Sequence, residues 1–190
     1  LPLAADGEAT QFLAGVIVTR AERSDINTLQ DLAGKRIATP STQHMGGFRA
    51  QAYELAMAGV PLEESQLKFT IVHQDAIRAL LRDEVDVAFV RSGVLESMVA
   101  SGELDLDQLR VIHPQEHPHF SMISSTRLYP EWPVFALPHV DQEVLRLFAS
   151  ALFALEPDHP AAVAAGMHGF TIPADYLMVE DLARALRLPP

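Results

Sequence analysis

The chain has 190 residues, 48% of them hydrophobic, and its 25 acidic residues against 14 Lys and Arg give a formal net charge of −11. That composition suits one folded domain or two small lobes and excludes a disordered chain, while the acidic balance, with no Lys/Arg cluster, argues against a nucleic-acid partner. The chain has no cysteine, which excludes disulfides, thiolate metal sites and cysteine nucleophiles and fits a periplasmic protein.

No apolar run reaches membrane-spanning length. The chain opens on Leu1 rather than Met, which reads as a trimmed or mature polypeptide. FLAGVIVTR (Phe12 to Arg20) predicts a buried strand. SDINTLQDLAGKRIAT predicts a short helix capped by Ser24 or Asn27 and ended by Gly34, then a strand to Thr39. From Ala38 to Gly59 the chain reads ATPSTQHMGGFRAQAYELAMAG. Hydroxyls and turn formers give way to Phe48, Ala52, Leu55 and Ala56 at helical spacing, and Gly59 suits the helix end. A polar loop between strand and helix gathers unpaired N–H groups at the positive end of the helix dipole, which suits an anion. A helix that is merely capped by its own side chains would show the same pattern.

LKFTIVH predicts a strand ending at His73. QDAIRALLRDE (Gln74 to Glu84) predicts an amphipathic helix with Ile77, Leu80 and Leu81 on one face and Asp75 as its cap. VDVAFV (Val85 to Val90) predicts a buried parallel strand, SGVLESMVASG a helix stopped by Gly102, and LRVIHP a further strand. Alternating strand and helix with short connections implies a parallel sheet covered on both faces. Ligands of such sheets bind beyond the strands' carboxyl ends. This gathers three segments on one edge: Thr39–His44, His73–Asp75 and Arg91–Gly93. In the tail, HFSMISS is strand-like and LYPEWPVFALPH is extended. Helices are expected over Val144 to Leu155, over HPAAVAAGMHGF to near Gly166, and over Tyr176 to Leu188, the last with Val179, Leu182, Ala183 and Leu186 on one face.

INTLQDLAGKRIA, the polar loop, and TIVHQDAIRALLRDEVDVAFVRSGVLE together resemble the phosphonate-binding-protein-like group of periplasmic substrate-binding folds. SSTRLYPEWPVFALPH and GFTIPADY followed by VEDLARALRLPP resemble a subset, the sensor domains of tetrathionate-sensor-type histidine kinases. The resemblance runs from Phe12 onward. It implies an α/β fold of the type II periplasmic-binding-protein kind, with one complete parallel-sheet lobe over residues 24–114. Residues 1–23 and 115–190 would then form an incomplete first lobe with crossover strands and C-terminal helices, since family members carry a longer N-terminal portion. Where transporter-type members have Ser-Thr-Ser-Gly, this chain has Ser41-Thr42-Gln43-His44-Met45-Gly46-Gly47, a departure from the phosphonate-wrapping pattern that still suits an oxyanion.

The candidate ligand-binding residues are Ser41, Thr42, Gln43, His44, Gly46, His73, Arg91 and Ser92. His73 matches the family's His, although a lone His is more often structural. Arg91 offers a planar guanidinium for an oxyanion, or else an ion pair with Asp86 or Glu96. Arg127, Tyr129, Glu131 and Trp132 form a polar-aromatic segment that either lines a hinge or protein contact or packs a crossover. His113, His117 and His119 lie among prolines that impose no ligand geometry, so no metal and no cofactor is expected. No Gly-x-Ser-x-Gly, H-E-x-x-H or phosphate loop occurs, and no catalysis is expected. The leading function is an extracytoplasmic, periplasmic sensor domain that closes on a small anion and signals to a membrane-anchored kinase region in its parent protein. The alternatives are a transporter's solute-binding protein and an interaction module with a vestigial cleft. Self-association through the truncated lobe is a further expectation.

Overall fold

The computed structural model describes residues 9–188. Residues 1–8 and 189–190, parts of the two outer segments assigned above, lie outside it. In chain order the elements are β1 (Phe12–Leu13), β2 (Gly15–Arg20), β3 (Ile37–Thr39), α1 (Ala50–Met57), β4 (Leu67–Phe69), α2 (His73–Leu81), β5 (Val87–Arg91), α3 (Val94–Ala100), β6 (Leu109–Val111), β7 (Tyr129–Pro130), α4 (Gln142–Phe153), α5 (Pro160–Ala165) and α6 (Leu177–Ala185).

Five strands form one sheet in the order β4-β3-β5-β2-β6. β3, β4 and β5 run parallel, as their intervening helices require. β2 runs antiparallel to β5 and β6, so the sheet is mixed. The connection from β2 to β3 leaves and re-enters the sheet at the same end, with its short 3₁₀ turn (Leu29–Leu32) packed against one face. β2 thus pairs inside the sheet formed mainly by residues 24–114, although the sequence grouped it with the other lobe. Alternate side chains divide the core. Val16, Val18, Ala88 and Val90 face α2 and α3, packing on Ile77, Leu80, Leu95 and Met98. Ile17, Ile37, Val87 and Phe89 face α1 and the 3₁₀ turn, packing on Leu55, Leu29 and Leu32.

Several local expectations change. Neither Ser24 nor Asn27 caps the 3₁₀ turn; Asp31 accepts the Asn27 and Thr28 N–H groups at 3.0 and 2.9 Å. The β4 strand stops at Phe69, and His73 is the first residue of α2 rather than the last of a strand. HFSMISS forms no strand. Its last hydroxyl and that of the next residue instead complete the β2 edge that β6 leaves uncovered: Ser125 Oγ accepts the Ile17 N–H and Thr126 Oγ1 accepts the Gly15 N–H, each at 2.9 Å. All of these groups are buried, so their pairing is obligatory.

In the tail, α6 packs Leu182, Val179 and Leu186 onto Leu13, Tyr53 and Tyr129. α4 buries no residue, and Val144, Leu147, Phe148 and Phe153 are each more than half exposed. It borders an apolar cavity of about 590 Å³ walled by Trp132, Phe135, Phe148, Phe153 and Ile172.

Ser125→Ala leaves the Ile17 N–H buried without an acceptor. The expected cost is about 1–3 kcal/mol of unfolding free energy, read from urea denaturation. A variant within about 0.5 kcal/mol of the parent chain would show that another group takes over the bond.

Candidate functional site

Three loops leave the carboxyl ends of β3, β4 and β5 on one edge of the sheet. The first opens with Ser41, whose Oγ accepts the Gln43 N–H at 3.1 Å. It then enters a π-helical turn, Met45–Arg49, in which the Arg49 N–H reaches back five residues to the His44 carbonyl at 3.0 Å. Such widened turns recur at functional sites. Thr39 Oγ1 holds this turn by donating to the Gly47 carbonyl at 2.7 Å.

The glycine pair is set by close approach. A Cβ on Gly46 would lie 2.9 Å from Arg91 Cγ and 3.0 Å from the Ala14 carbonyl oxygen. A Cβ on Gly47 would lie 2.7 Å from His73 Cε1. The turn therefore sits directly on both Arg91 and His73, and the His44 and His73 rings stand 5.7 Å apart. The three segments that the sequence placed on one edge do meet there.

No side chain caps the π-turn at His44, and none caps α2 at Val72. The alternative of a helix capped by its own hydroxyls is therefore not what the structure holds. Two helix starts converge with uncapped N–H groups, an arrangement that favours negative charge. Asp75 is not a cap either; it lies inside α2 and pairs with Arg78 at 2.8 Å.

His73 Nδ1 faces the Arg91 backbone N–H at 3.4 Å. With Nδ1 accepting, the ring proton sits on Nε2. Burial, helped by the neighbouring His44 and Arg91, pushes the His73 imidazole down to about 4. The ring is therefore neutral at physiological pH.

Arg91 pairs with neither acid named from the sequence. Asp86 is held by Arg23 at 2.7 Å and by Arg36 at 3.1 Å. Glu96 accepts the Ile123 N–H at 2.6 Å. The partner of Arg91 is Glu131, forty residues further along the chain. Ser92 is buried, and its Oγ accepts the Ala14 N–H at 3.0 Å. Thr42 and Gln43 line a second cavity of about 560 Å³ with Arg49 and Leu186. Arg127 stacks over the Tyr53 ring with its Cζ 4.3 Å from the centroid, and Trp132 is exposed. His117 Nε2 lies 2.9 Å from the Thr126 carbonyl, and His113 faces Glu54 at 3.9 Å. Among the described residues no three His, Asp or Glu side chains form a metal-binding group.

One residue that matters here, Gln51, was missed in the sequence, and another, Glu131, was named only as part of a hinge or crossover segment, without its pairing to Arg91. Gln51 is fully buried and donates to the Gly46 carbonyl at 2.8 Å, holding the π-turn. Its position in a helical run flanked by Ala and Tyr carried the signal of a polar residue on a buried face. Glu131 carried no local signal, because its partner is remote in sequence.

A family model described as ABC transporter, phosphonate, periplasmic substrate-binding protein matches residues 1–176. The chain is 31% identical over 187 residues to the tetrathionate sensor histidine kinase TtrS of Salmonella typhimurium, a match that covers 97% of this chain and 30% of that protein. The chain thus spans less than a third of that relative's length. Among solved structures, a Xanthomonas citri protein bound to chloride ion superposes with a TM-score of 0.66 at 13% identity, covering 98% of this chain and 70% of that one. A binding protein component of an ABC phosphonate transporter from Pseudomonas aeruginosa gives 0.63 at 14% identity, covering 98% and 61%.

The His73 environment sets a pH dependence. An unfolded His takes up its proton near pH 6.5, whereas the folded ring refuses it until about pH 4. A depressed folded pKa contributes stability that is present above the unfolded value and lost as pH falls toward the folded one. Unfolding free energy should therefore drop by about 1–2 kcal/mol from this group between pH 6.5 and 4, after discounting for the ring's partial exposure. His73→Gln should flatten that part of the profile in urea titrations. An identical slope in the variant would mean that the folded ring protonates at its ordinary pKa.

Proposed function

The chain belongs to the phosphonate-binding family of ABC-transporter periplasmic substrate-binding proteins, and on that premise we propose that it is the extracytoplasmic ligand-binding domain of a sensor histidine kinase. The fold is that of type II periplasmic binding proteins, a binding rather than a catalytic scaffold. The ligand is a small oxyanion, held at the carboxyl edge of β3, β4 and β5. The observation that carries this reading is the convergence of two helix starts without side-chain caps on a single arginine. Backbone N–H groups, the Arg91 guanidinium and the neutral His73 ring are all donors, and an oxyanion is the ligand that uses only acceptors.

The similarity to a tetrathionate sensor kinase along 97% of the chain favours a sensor over a transporter component. In this reading the ligand biases an open–closed equilibrium by its preference for the closed state, and closure passes to a membrane-anchored kinase region. The second reading, a solute-binding protein delivering to a permease, is favoured by the family description itself. The two differ in what the parent gene encodes after this domain, and the binding chemistry is shared. No helix among the described residues is long and apolar enough to cross a membrane.

The apolar face of α4 and the cavity beside it fit a second lobe that further polypeptide of the parent protein completes. Its exposed Val144, Leu147, Phe148 and Phe153 represent burial worth about 25 cal/mol per Å². Left uncovered, that face should drive self-association of the 190-residue chain, seen in light scattering as a mass that rises with concentration. A monomer at every concentration would overturn this account of the face.

Anion binding is tested by calorimetry on the intact protein with sulfate, thiosulfate, tetrathionate, phosphate and methylphosphonate. Arg91→Ala should weaken binding of the preferred anion by about 10–150-fold, the equivalent of one charge-assisted contact. Binding of none of these anions would favour the interaction module instead, and an unchanged affinity in Arg91→Ala would remove Arg91 from the site.

A further inference from the structure

The anion site is not empty of carboxylate. Glu131 reaches Arg91 from an unrelated part of the chain, the first residue after β7, and docks one carboxylate oxygen on one guanidinium nitrogen. The pair is single-armed. Among the described residues the remaining Arg91 side-chain donors have no recorded acceptor, so the fork that could grip a carboxylate or oxyanion with two parallel bonds is only half used.

The surroundings of the pair are asymmetric. The Glu131 side chain is 15% exposed against 37% for Arg91. Burial raises the Glu131 carboxyl above its ordinary pKa despite the arginine beside it. The carboxylate is thus poorly solvated and held by one guanidinium arm and the neighbouring Trp132 backbone N–H, whereas Arg91 lies open to solvent beside two uncapped helix starts. From Glu131 the chain continues through exposed, irregular residues 132–139 to α4. The Glu131 backbone is also tied on both sides: its N–H donates to the Gln11 carbonyl at 2.8 Å, and its carbonyl accepts the Tyr176 hydroxyl just ahead of α6.

We propose that Glu131 is an internal competitor for the anion site: its carboxylate occupies Arg91 in the unliganded domain, and a bound oxyanion displaces it. This rests on the oxyanion reading above and adds to it a residue that sets affinity and specificity. The occupying carboxylate excludes any ligand that cannot outbid a single-armed ion pair. Weak or neutral ligands are rejected, while an anion that engages the whole fork and the helix N–H groups gains the site. Displacement also removes the side-chain tie between the start of the 131–140 segment and Arg91, while the Glu131 backbone keeps its bonds to Gln11 and Tyr176.

The chain supplies its own reporter. Trp132 is its single tryptophan, directly follows Glu131, and is exposed. The test measures affinity by calorimetry and Trp132 emission by fluorescence in the intact protein, with a Trp132→Phe variant subtracted. The probes are sulfate, thiosulfate and tetrathionate. Glu131→Gln, which keeps the shape and removes the charge, should bind the preferred anion about fivefold or more tightly, because the site no longer waits for its competitor to leave. Saturating anion should shift Trp132 emission in the parent protein, and Glu131→Gln should show that shift before any anion is added. Glu131→Asp, with a shorter reach, should fall between the two. If the parent protein binds anion, Arg91→Ala weakens it, and Glu131→Gln leaves both affinity and emission unchanged, the competitor is overturned and the oxyanion site stands. If neither the parent nor Glu131→Gln binds any probe, both readings fall together. Binding by Glu131→Gln alone would support the competitor at its strongest.

Discussion

The Gln51 side-chain amide donates to three backbone carbonyls from three separate parts of the chain: Gly46 in the π-turn, Val90 in β5 and Val16 in β2, at 2.8, 3.0 and 3.3 Å. An NH₂ group has two hydrogens, so the longest of the three contacts shares one. The side chain is fully buried, and in a low-dielectric interior each of those carbonyls would be costly to leave unpaired. The amide therefore fixes where the loop after β3 lies relative to the end of β5. Two glycines follow from it. A Cβ on Gly15 would stand 2.5 Å from the Gln51 amide carbon, so β2 must pass with no side chain there. Gly46, whose carbonyl is the shortest of the three contacts, is pressed against Arg91 and the Ala14 carbonyl. Fixing one amide thereby fixes the turn, the strand beside it and the arginine that the turn covers.

What the sequence discloses about this arrangement follows from the range of each interaction. Elements defined by their own periodicity are legible: α2 shows Ile77 and Leu80 on its buried face, and α1 ends where Gly59 takes a φ of +69°. The gathering of Ser41–Gly47, His73 and Arg91 is legible too, because parallel strands joined by helices must deliver their following loops to one edge. The family and the fold class were both readable, the latter from the alternation of strand and helix.

Interactions between distant segments are not legible. Nothing near Arg91 points to Glu131, and nothing near Ile17 says that its N–H will find the Ser125 hydroxyl, 108 residues away in sequence. The strand expected over HFSMISS failed for this reason. Ser125 and the adjoining Thr126 meet the β2 edge through their hydroxyls, with one backbone bond from the Ser125 N–H to the Gly15 carbonyl, and no ladder forms. Asp75 failed differently: it sits where an acid often caps a helix, but Arg78 is one turn along and takes its carboxylate. The widened π-turn is invisible as well, because it depends on Gln51 and the Arg91 stem packing against a loop whose own residues would tolerate an ordinary helix start.

The net charge of −11 does not by itself oppose the proposed anion site, because several of the acids on this lobe are engaged by cations. Asp86 is shared by Arg23 and Arg36, Asp25 by Arg23 and Lys35, Glu84 by Arg82 and Lys68, and Arg78 holds both Asp75 and Glu103. Unpaired surface acids lying beyond a screening length of about 8 Å contribute little at the site under physiological salt. The local field is then set by Arg91 and the two helix starts. His73 carries none at neutral pH, since its burial beside Arg91 keeps the ring neutral. A second full cation there would favour any negative charge without regard to shape. A neutral ring offers an N–H whose value depends on direction, as do the backbone N–H groups of the two helix starts. In the proposed site the geometry of acceptors would count for as much as the single formal charge of Arg91, whose partner within the chain is Glu131.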